Sequence, residues 1–127
     1  MKGFIDRLER SGNNFSIIDY KATYYPFSQD KADADWQLGI YELAVRDEFP
    51  EAEGVSLTWY FLGPGLVVSS IRSAEQRQDL HRRITALLDE IEKASDFPPV
   101  ANQYCYRCDY NLECAEEKTT KNPYVCF

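Results

Sequence analysis

The chain of 127 residues suits one small domain with a single hydrophobic core. No apolar run approaches the roughly 20 residues of a membrane span, and the charged N-terminus lacks the apolar segment of a signal peptide, so we expect a cytoplasmic protein without membrane contact. The net charge of −7 argues against a basic nucleic-acid surface over the whole chain, but leaves room for a local groove or for one supplied by a partner.

Two segments near the N-terminus are predicted to pair as a β-hairpin. Residues 3–7 (GFIDR) and 17–23 (IIDYKAT) each have the composition of a strand. Between them, residues 11–14 (SGNN) are typical of a tight turn, because Gly and Asn tolerate positive φ. We therefore expect a turn of two or four residues centred on Gly12 and Asn13.

The register of this hairpin brings charged side chains together. It places Asp6 opposite Asp19, and Lys21 lies on the same side because side chains alternate along a strand. Facing carboxylates destabilise a sheet unless a cation lies between them, so the pattern predicts a divalent-metal site. The alternative is an ordinary solvated face, against which the apolar Ile17 and Ile18, one on each side of the strand, both argue.

The next predicted element is a helix over residues 30–49, ended by Pro50. Residues 24–28 (YYPFS) form a loop before it, whose aromatic side chains either cover the core or stack on bases. Gln37 and Tyr41 lie one helical turn apart and can point together toward the hairpin. A hydrogen bond between them at the edge of the core is an equally simple interpretation.

These motifs together resemble a known family. Residues 3–7, the sequence IDYK at 18–21, and Gln37 followed by Tyr41 are similar to motifs of the RecB-type branch of the PD-(D/E)xK nuclease superfamily. That branch includes helicase-linked and CRISPR-associated exonucleases, some of which carry a cysteine-bound iron–sulfur cluster. The resemblance spans about residues 3–114.

The resemblance implies a restriction-endonuclease-like core and a set of functional residues. Asp6 and Asp19 would bind Mg²⁺ or Mn²⁺, Lys21 would assist catalysis, and Gln37 and Tyr41 would shape the nucleic-acid side of the site. The implied substrate is DNA, single-stranded or with free ends. A helicase or a CRISPR-associated protein is the implied partner.

The chain also departs from the pattern at its start. Family members normally have a helix before the first aspartate that supplies a Glu or His to the metal site, whereas here Met1 and Lys2 lead straight into the strand. We expect either a fragment or a shortened relative. On this expectation the chain alone cleaves DNA slowly or not at all, and any activity depends on Lys21.

The remaining core elements are a second hairpin, formed by residues 55–62 and 66–71, and a helix that begins near Ser73 with a capping box and ends before Phe97. His81 is the only histidine and is expected at the surface, so Ser-His and Cys-His catalysis have little support. The arginines expected on a solvated helix face are Arg72, Arg77, Arg82 and Arg83. The predicted fold class is α/β, a mixed sheet of about four strands with two helices.

The cysteines of the chain are Cys105, Cys108, Cys114 and Cys126. In a chain without a secretory signal, this spacing favours a metal site over disulfides or unligated buried thiols. In the resembling family it belongs with a [4Fe–4S] cluster whose fourth cysteine lies upstream, and here Cys126 would replace that ligand in either a cluster or a Zn²⁺ site. We thus predict a nuclease-like core over residues 1–100, truncated at its N-terminus, and a cysteine-rich tail over 101–127.

The predicted function is divalent-metal-dependent DNA hydrolysis of the exonuclease type. One alternative is a catalytically inactive DNA-binding or helicase-associated accessory domain with a structural cysteine metal site. Another is a zinc-stabilised protein-interaction module, which leaves Asp6, Asp19 and Lys21 unexplained.

Overall fold

Four strands form one mixed sheet, with two helices between the second and third strands and a third helix after the fourth. The computed structural model describes residues 3–96, 98, 100, 102, 104–110 and 114. The elements are β1 (Arg7–Ser11), β2 (Asn14–Lys21), α1 (Gln29–Asp33), α2 (Trp36–Glu48), β3 (Gly54–Phe61), β4 (Leu66–Ser70), α3 (Ala74–Lys93) and a short 3₁₀ helix (Cys105–Arg107). The strand order is β1-β2-β3-β4; β2 and β3 are parallel, and the two outer pairs are antiparallel. The predicted α/β class with a mixed four-stranded sheet is confirmed, and it is consistent with a restriction-endonuclease-like fold.

The first hairpin has a two-residue turn, one of the two lengths predicted for it, centred on Gly12 and Asn13. Ser11 lies opposite Asn14, and Arg7 lies opposite Ile18. Gly12 has a φ of 61°, a conformation that costs glycine little and other residues much more. β1 begins at Arg7, so most of the strand predicted over residues 3–7 lies outside it; just before Arg7, the Asp6 carboxylate accepts the N–H of Tyr20 where a continued strand would offer a backbone carbonyl.

The helix predicted over residues 30–49 is in fact two helices. The Ser28 hydroxyl accepts the N–H of Lys31 and caps α1, and the Asp35 carboxylate accepts the N–H of Leu38 at 2.9 Å and caps α2. Ser and Asp are favourable caps because their oxygens satisfy N–H groups that lack a partner in the first turn. Asp35, which lies inside the predicted helix, therefore marks the break between two helices.

The core lies between α2 and one face of the sheet. The buried core residues are Phe15, Ile17, Ala32, Leu38, Val45, Val55, Leu57, Trp59 and Phe61. Those on β2 and β3 alternate with more exposed residues, as expected for strands covered on one side. Side chains of β2 that are an even number of residues from Phe15 and Ile17 therefore lie on the same covered face as these two.

A buried ionic cluster joins α2 to the segment that leads into α3. Glu42 is fully buried; its Oε1 accepts a hydrogen bond from Arg46 at 2.9 Å and lies 3.6 Å from Arg77. Arg72 is only 5% exposed and donates to the Asp35 carbonyl. Burial lowers the pKa of Arg72 from its ordinary value.

The prediction of a solvated face is wrong for Arg72, because its guanidinium group lies directly over α2 at Gly39. A Cβ at Gly39 would overlap that guanidinium, so glycine is required for this close approach. The predicted capping box of α3 is confirmed, since Ser73 and Gln76 exchange hydrogen bonds of 2.8 and 3.2 Å.

The described residues form two compact units, one within Met1–Asp89 and one within Glu90–Phe127. The sheet, α1 and α2 belong to the first unit. The division predicted at residue 100 stays a prediction. In the part of the chain that the structure describes, no helix has both the length and the apolar character needed to cross a membrane.

Candidate active site

Two charged residues of β2 face the covered side of the sheet. Asp19 and Lys21 alternate in step with the core residues Phe15 and Ile17, so all four side chains lie on the same face. Asp19 is only 7% exposed, and its Oδ2 lies 2.8 Å from Lys21 Nζ. A carboxylate this deeply buried requires a compensating charge, and Lys21 provides it.

Asp6 lies beside the same end of β2. Its Oδ2 accepts the backbone N–H of Tyr20 at 3.0 Å, just beyond the last paired residue of β1. Continuing the register from Arg7 opposite Ile18 by one residue puts Asp6 opposite Asp19. Asp6 itself lies in a bend before β1, outside the paired residues, so the hydrogen bond from the Tyr20 N–H is what places its carboxylate at the residue next to Asp19 in the chain.

The two residues singled out on the predicted helix make different contacts. The Gln37 side chain, on the first turn of α2, accepts a hydrogen bond from Lys21 Nζ at 3.3 Å. Tyr41, one turn further along, packs against the core and lies against Gly3, where a Cβ would come within 2.9 Å of its ring. The structure therefore brings Gln37 to the charged residues of β2 and places Tyr41 beside the segment that precedes Asp6.

The two carboxylates fit a hard divalent cation. Asp19 Oδ2 is buried and has no hydrogen bond of good geometry among the described residues, so the contact with Lys21 is an ion pair only. Asp6 supplies an exposed second carboxylate. Mg²⁺ is commonly held by one or two carboxylates, with water and substrate phosphate completing its six ligands.

Within the described ranges, no group of three or more His, Cys, Asp or Glu side chains is arranged to hold a metal ion. The acidic part of the candidate site thus consists of Asp6 and Asp19. Carbonyl, water or phosphate oxygens would supply the other ligands of a hard cation.

The aromatic loop after β2 is exposed where the candidate site ends. Tyr24 is 71% exposed and Tyr25 is 86% exposed. The ring of Tyr24 lies against Gly63, where a Cβ would come within 3.1 Å of it. The loop was expected either to cover the core or to stack on bases. Tyr24 and Tyr25 do not cover the core, because both are exposed.

The cysteines have separate environments. Cys105 is buried, Cys108 is exposed and Cys114 is half-buried. The Asn102 N–H points to Cys105 Sγ at 3.3 Å, and the Cys108 N–H donates to the Cys105 carbonyl at 3.1 Å. Cys126 lies outside the described residues, so the predicted four-cysteine site stays a prediction.

The sequence patterns did not reveal the buried Glu42 cluster. The spacing of Glu42 and Arg46 indicates an ordinary surface ion pair of a helix. The burial of Glu42 depends on Arg72 and Arg77, which are distant in sequence. The sequence hints at this burial, because Glu42 lies on the same face of α2 as the apolar Leu38 and Val45.

A mixed α/β sheet with paired aspartates and a lysine at the end of one strand, beneath the helix that follows it, defines a nuclease-like protein. The family model of the PD-(D/E)XK nuclease superfamily matches residues 1–115. The chain belongs to that superfamily. Membership implies, in general, a metal-dependent nuclease that acts on DNA with Mg²⁺ or Mn²⁺. A search of curated proteins and a search of solved structures each gave no match.

Proposed function

We propose that the chain is a RecB-type member of this superfamily that hydrolyses phosphodiester bonds of DNA as an exonuclease. The observation that carries the proposal is the position of Lys21 Nζ, 2.8 Å from Asp19 and 3.3 Å from Gln37. Residues of β2 and of α2 converge there, and they are the residues that the motifs single out. A cytoplasmic location is part of the same proposal.

Asp6 and Asp19 are the proposed metal ligands. The buried Asp19 Oδ2 and the exposed Asp6 carboxylate offer the oxygen ligands that a hard cation prefers. A bound Mg²⁺ or Mn²⁺ would supply Lewis acidity toward phosphate oxygens and toward water. The roles of the two aspartates are to hold that charge and to fix its place beside the end of β2.

Lys21 is the proposed electrostatic catalyst. Its side chain is 31% exposed, so the ammonium lies at the border between the buried carboxylate and solvent. A fixed positive charge at that border stabilises the negative charge that develops on the phosphate during hydrolysis.

The nucleic-acid side of the site is proposed to include Gln37 and Tyr41 on α2, together with Tyr24 and Tyr25 on the loop after β2. The exposed rings of this loop can stack on the unpaired bases of single strands or free ends. The net charge of −7 leaves the chain poor in phosphate contacts, which supports a helicase or CRISPR-associated partner that supplies them.

We also propose that residues 1–100 are the nuclease core and that residues 101–127 hold an iron–sulfur cluster or, alternatively, Zn²⁺. The hydrogen bond from Asn102 to Cys105 Sγ supports the idea, since N–H groups directed at cysteine sulfur are a means of tuning clusters. The three cysteines with described positions do not form a metal-binding group. No step of the proposed reaction depends on the tail.

An inactive accessory domain is the second candidate. It is favoured by the limit of two acidic ligands among the described residues. Such a protein would bind a divalent cation or DNA without cleaving the strand.

The test is cleavage of end-labelled single-stranded and linear duplex DNA with Mn²⁺ by the full chain. We expect at most slow cleavage, which Asp19→Asn and Lys21→Ala abolish and which Lys31→Ala leaves unchanged, because Lys31 lies on α1 near the ring of Phe27, outside the site. Cleavage that persists in Asp19→Asn would reject the proposal. No cleavage by the wild type, with Mn²⁺ binding that still depends on Asp19, would favour the accessory domain.

A further inference from the structure

The Lys21 ammonium occupies a position that a metal ion would also use. Asp19 Oδ2 is buried without a hydrogen bond of good geometry among the described residues, so the Lys21 charge at 2.8 Å is what compensates it. A divalent cation bound to the same carboxylate would repel the ammonium, and the low exposure of Asp19 leaves little water to screen the two charges. Lys21 and the metal therefore compete for Asp19.

We propose that Lys21 moves between two positions and that Gln37 is the positioning residue for the second. In the metal-free chain the ammonium is paired with Asp19. When a divalent cation binds Asp6 and Asp19, the ammonium leaves Asp19 Oδ2 and is retained by Gln37 Oε1, already 3.3 Å away. The inference rests on the proposed function, because it requires a metal at the two aspartates.

The structure favours movement of the lysine and not of the aspartate. The side chain of Lys21 is 31% exposed and that of Asp19 is 10% exposed. A lysine side chain has a flexible four-carbon stem, whereas Asp19 is fixed within the core face of β2. Rotation of the Lys21 stem therefore suffices for the exchange.

Gln37 is suited to hold the displaced ammonium. It lies on the first turn of α2, whose start is fixed by the hydrogen bond from the Leu38 N–H to Asp35. Its amide oxygen accepts from a cation without adding a negative charge that would itself attract the metal. The lysine is thus kept beside the site, where the proposed reaction needs it.

The test is a double-mutant cycle of Mn²⁺ affinity, measured by calorimetry on the full chain. Lys21→Met keeps the apolar stem and removes the competitor, so we expect Mn²⁺ to bind about tenfold more tightly, as for loss of a partly buried ion pair. Gln37→Leu removes the second position and should weaken Mn²⁺ binding by about threefold. In the Lys21→Met background, Gln37→Leu should have no effect, since no ammonium then needs the position.

Three results would overturn the inference. Unchanged or weaker Mn²⁺ binding in Lys21→Met, while Asp19→Asn still abolishes binding, would reject the exchange and leave the metal site intact. An equal effect of Gln37→Leu with and without Lys21 would reject the positioning role. Mn²⁺ binding that survives Asp19→Asn would reject the proposed metal site and the exchange together. Lys31→Met is the matched control and should bind Mn²⁺ as the wild type does.

Lys21→Met leaves the buried Asp19 uncompensated and can fail to fold, so the wild type provides a second measurement. In crystals grown with Mn²⁺, Lys21 Nζ should lie beyond the ion-pair limit of about 4 Å from Asp19 and within hydrogen-bond reach of Gln37. An Nζ that stays in contact with Asp19 beside a bound Mn²⁺ would overturn the proposal without any variant.

Discussion

Asp19 and Lys21 form an ion pair, but the two charges differ in how much they need it, because their exposure to solvent differs. The carboxylate is nearly buried, whereas about a third of the lysine side chain reaches solvent. Removing the lysine leaves a buried charge without compensation, while removing the carboxylate charge leaves an ammonium that water can reach. The cost of losing each partner follows from these different surroundings.

We therefore predict that Lys21→Met is more destabilising than Asp19→Asn. Lys21→Met should lower the free energy of unfolding by about 2–3 kcal/mol, because the buried carboxylate stays behind. Asp19→Asn should lower it by about 1 kcal/mol or less, as for an exposed pair. Urea unfolding without metal measures both values, and Lys31→Met is the control for loss of a lysine. Equal costs would show that Asp19 is more solvated than the structure indicates.

At the scale of elements, α1 is held against the edge strand β4 by polar contacts. Ser70 Oγ is 2.6 Å from Asp33 Oδ1, and Gln29 donates to the Ser69 carbonyl at 2.8 Å. The hydrogen bonds from Ser70 and then Gln29 hold the pKa of Asp33 below its usual range. The stability that Asp33 contributes thus depends on its ionised form.

Because of this contact, we predict that the loss of stability caused by Ser70→Ala depends on pH. Because the pKa of Asp33 is lowered on folding, its contribution is present above the unfolded value of about 3.9 and is lost as the pH falls through the folded value. Ser70→Ala should lower the Tm at neutral pH, and the difference from wild type should shrink in acid. Ser69→Ala is the control, because the Ser69 hydroxyl contacts the hydroxyl of Thr58. A difference that stays constant down to about pH 2 would show that Asp33 is not responsible.

The elements also show what the sequence can and cannot predict. Local patterns were enough for the register of the first hairpin, since Gly12 determines the turn and the alternation determines the faces. They were enough for the capping box of α3 as well. The break between α1 and α2 was missed because Asp35 is acidic like the residues of a helix start, and only its contact with Leu38 identifies it as a cap. The burial of Arg72 depends on distant residues, which periodicity cannot reveal.

The tail provides a prediction that is independent of the nuclease site. Three closely spaced cysteines cannot complete a four-ligand site, so Cys126 is expected to be the fourth ligand of a cluster or of Zn²⁺. Anaerobically purified protein should carry one metal centre per chain, measured by elemental analysis. Visible absorption would indicate iron, and colourless protein with stoichiometric zinc would indicate the alternative. Cys108→Ser should lose the metal, whereas absence of both metals and unchanged stability in Cys108→Ser would exclude the site.

At the scale of the whole molecule, the acidic charge conflicts with a DNA substrate unless the metal changes the local balance. The net charge of −7 repels phosphate, and Asp6 and Asp19 add to that repulsion at the candidate site itself. A divalent cation would neutralise the two carboxylates and leave the positive charge of Lys21 in excess there. On the proposed function, we expect the metal to be needed to admit the strand as well as to cleave it.

Binding of DNA should therefore require a divalent cation. With Ca²⁺, another hard cation that prefers oxygen ligands, a fluorescent single-stranded oligonucleotide should bind the full chain, and with EDTA it should not. The affinity should fall only gently with salt, with a log–log slope shallower than about −2, because few lysines and arginines contact phosphate and each contact contributes about −0.7. Asp19→Asn should remove the cation dependence by weakening cation binding. Tight binding in EDTA with a steep salt slope would instead reveal a basic surface on the chain, and the need for a partner to supply one would disappear.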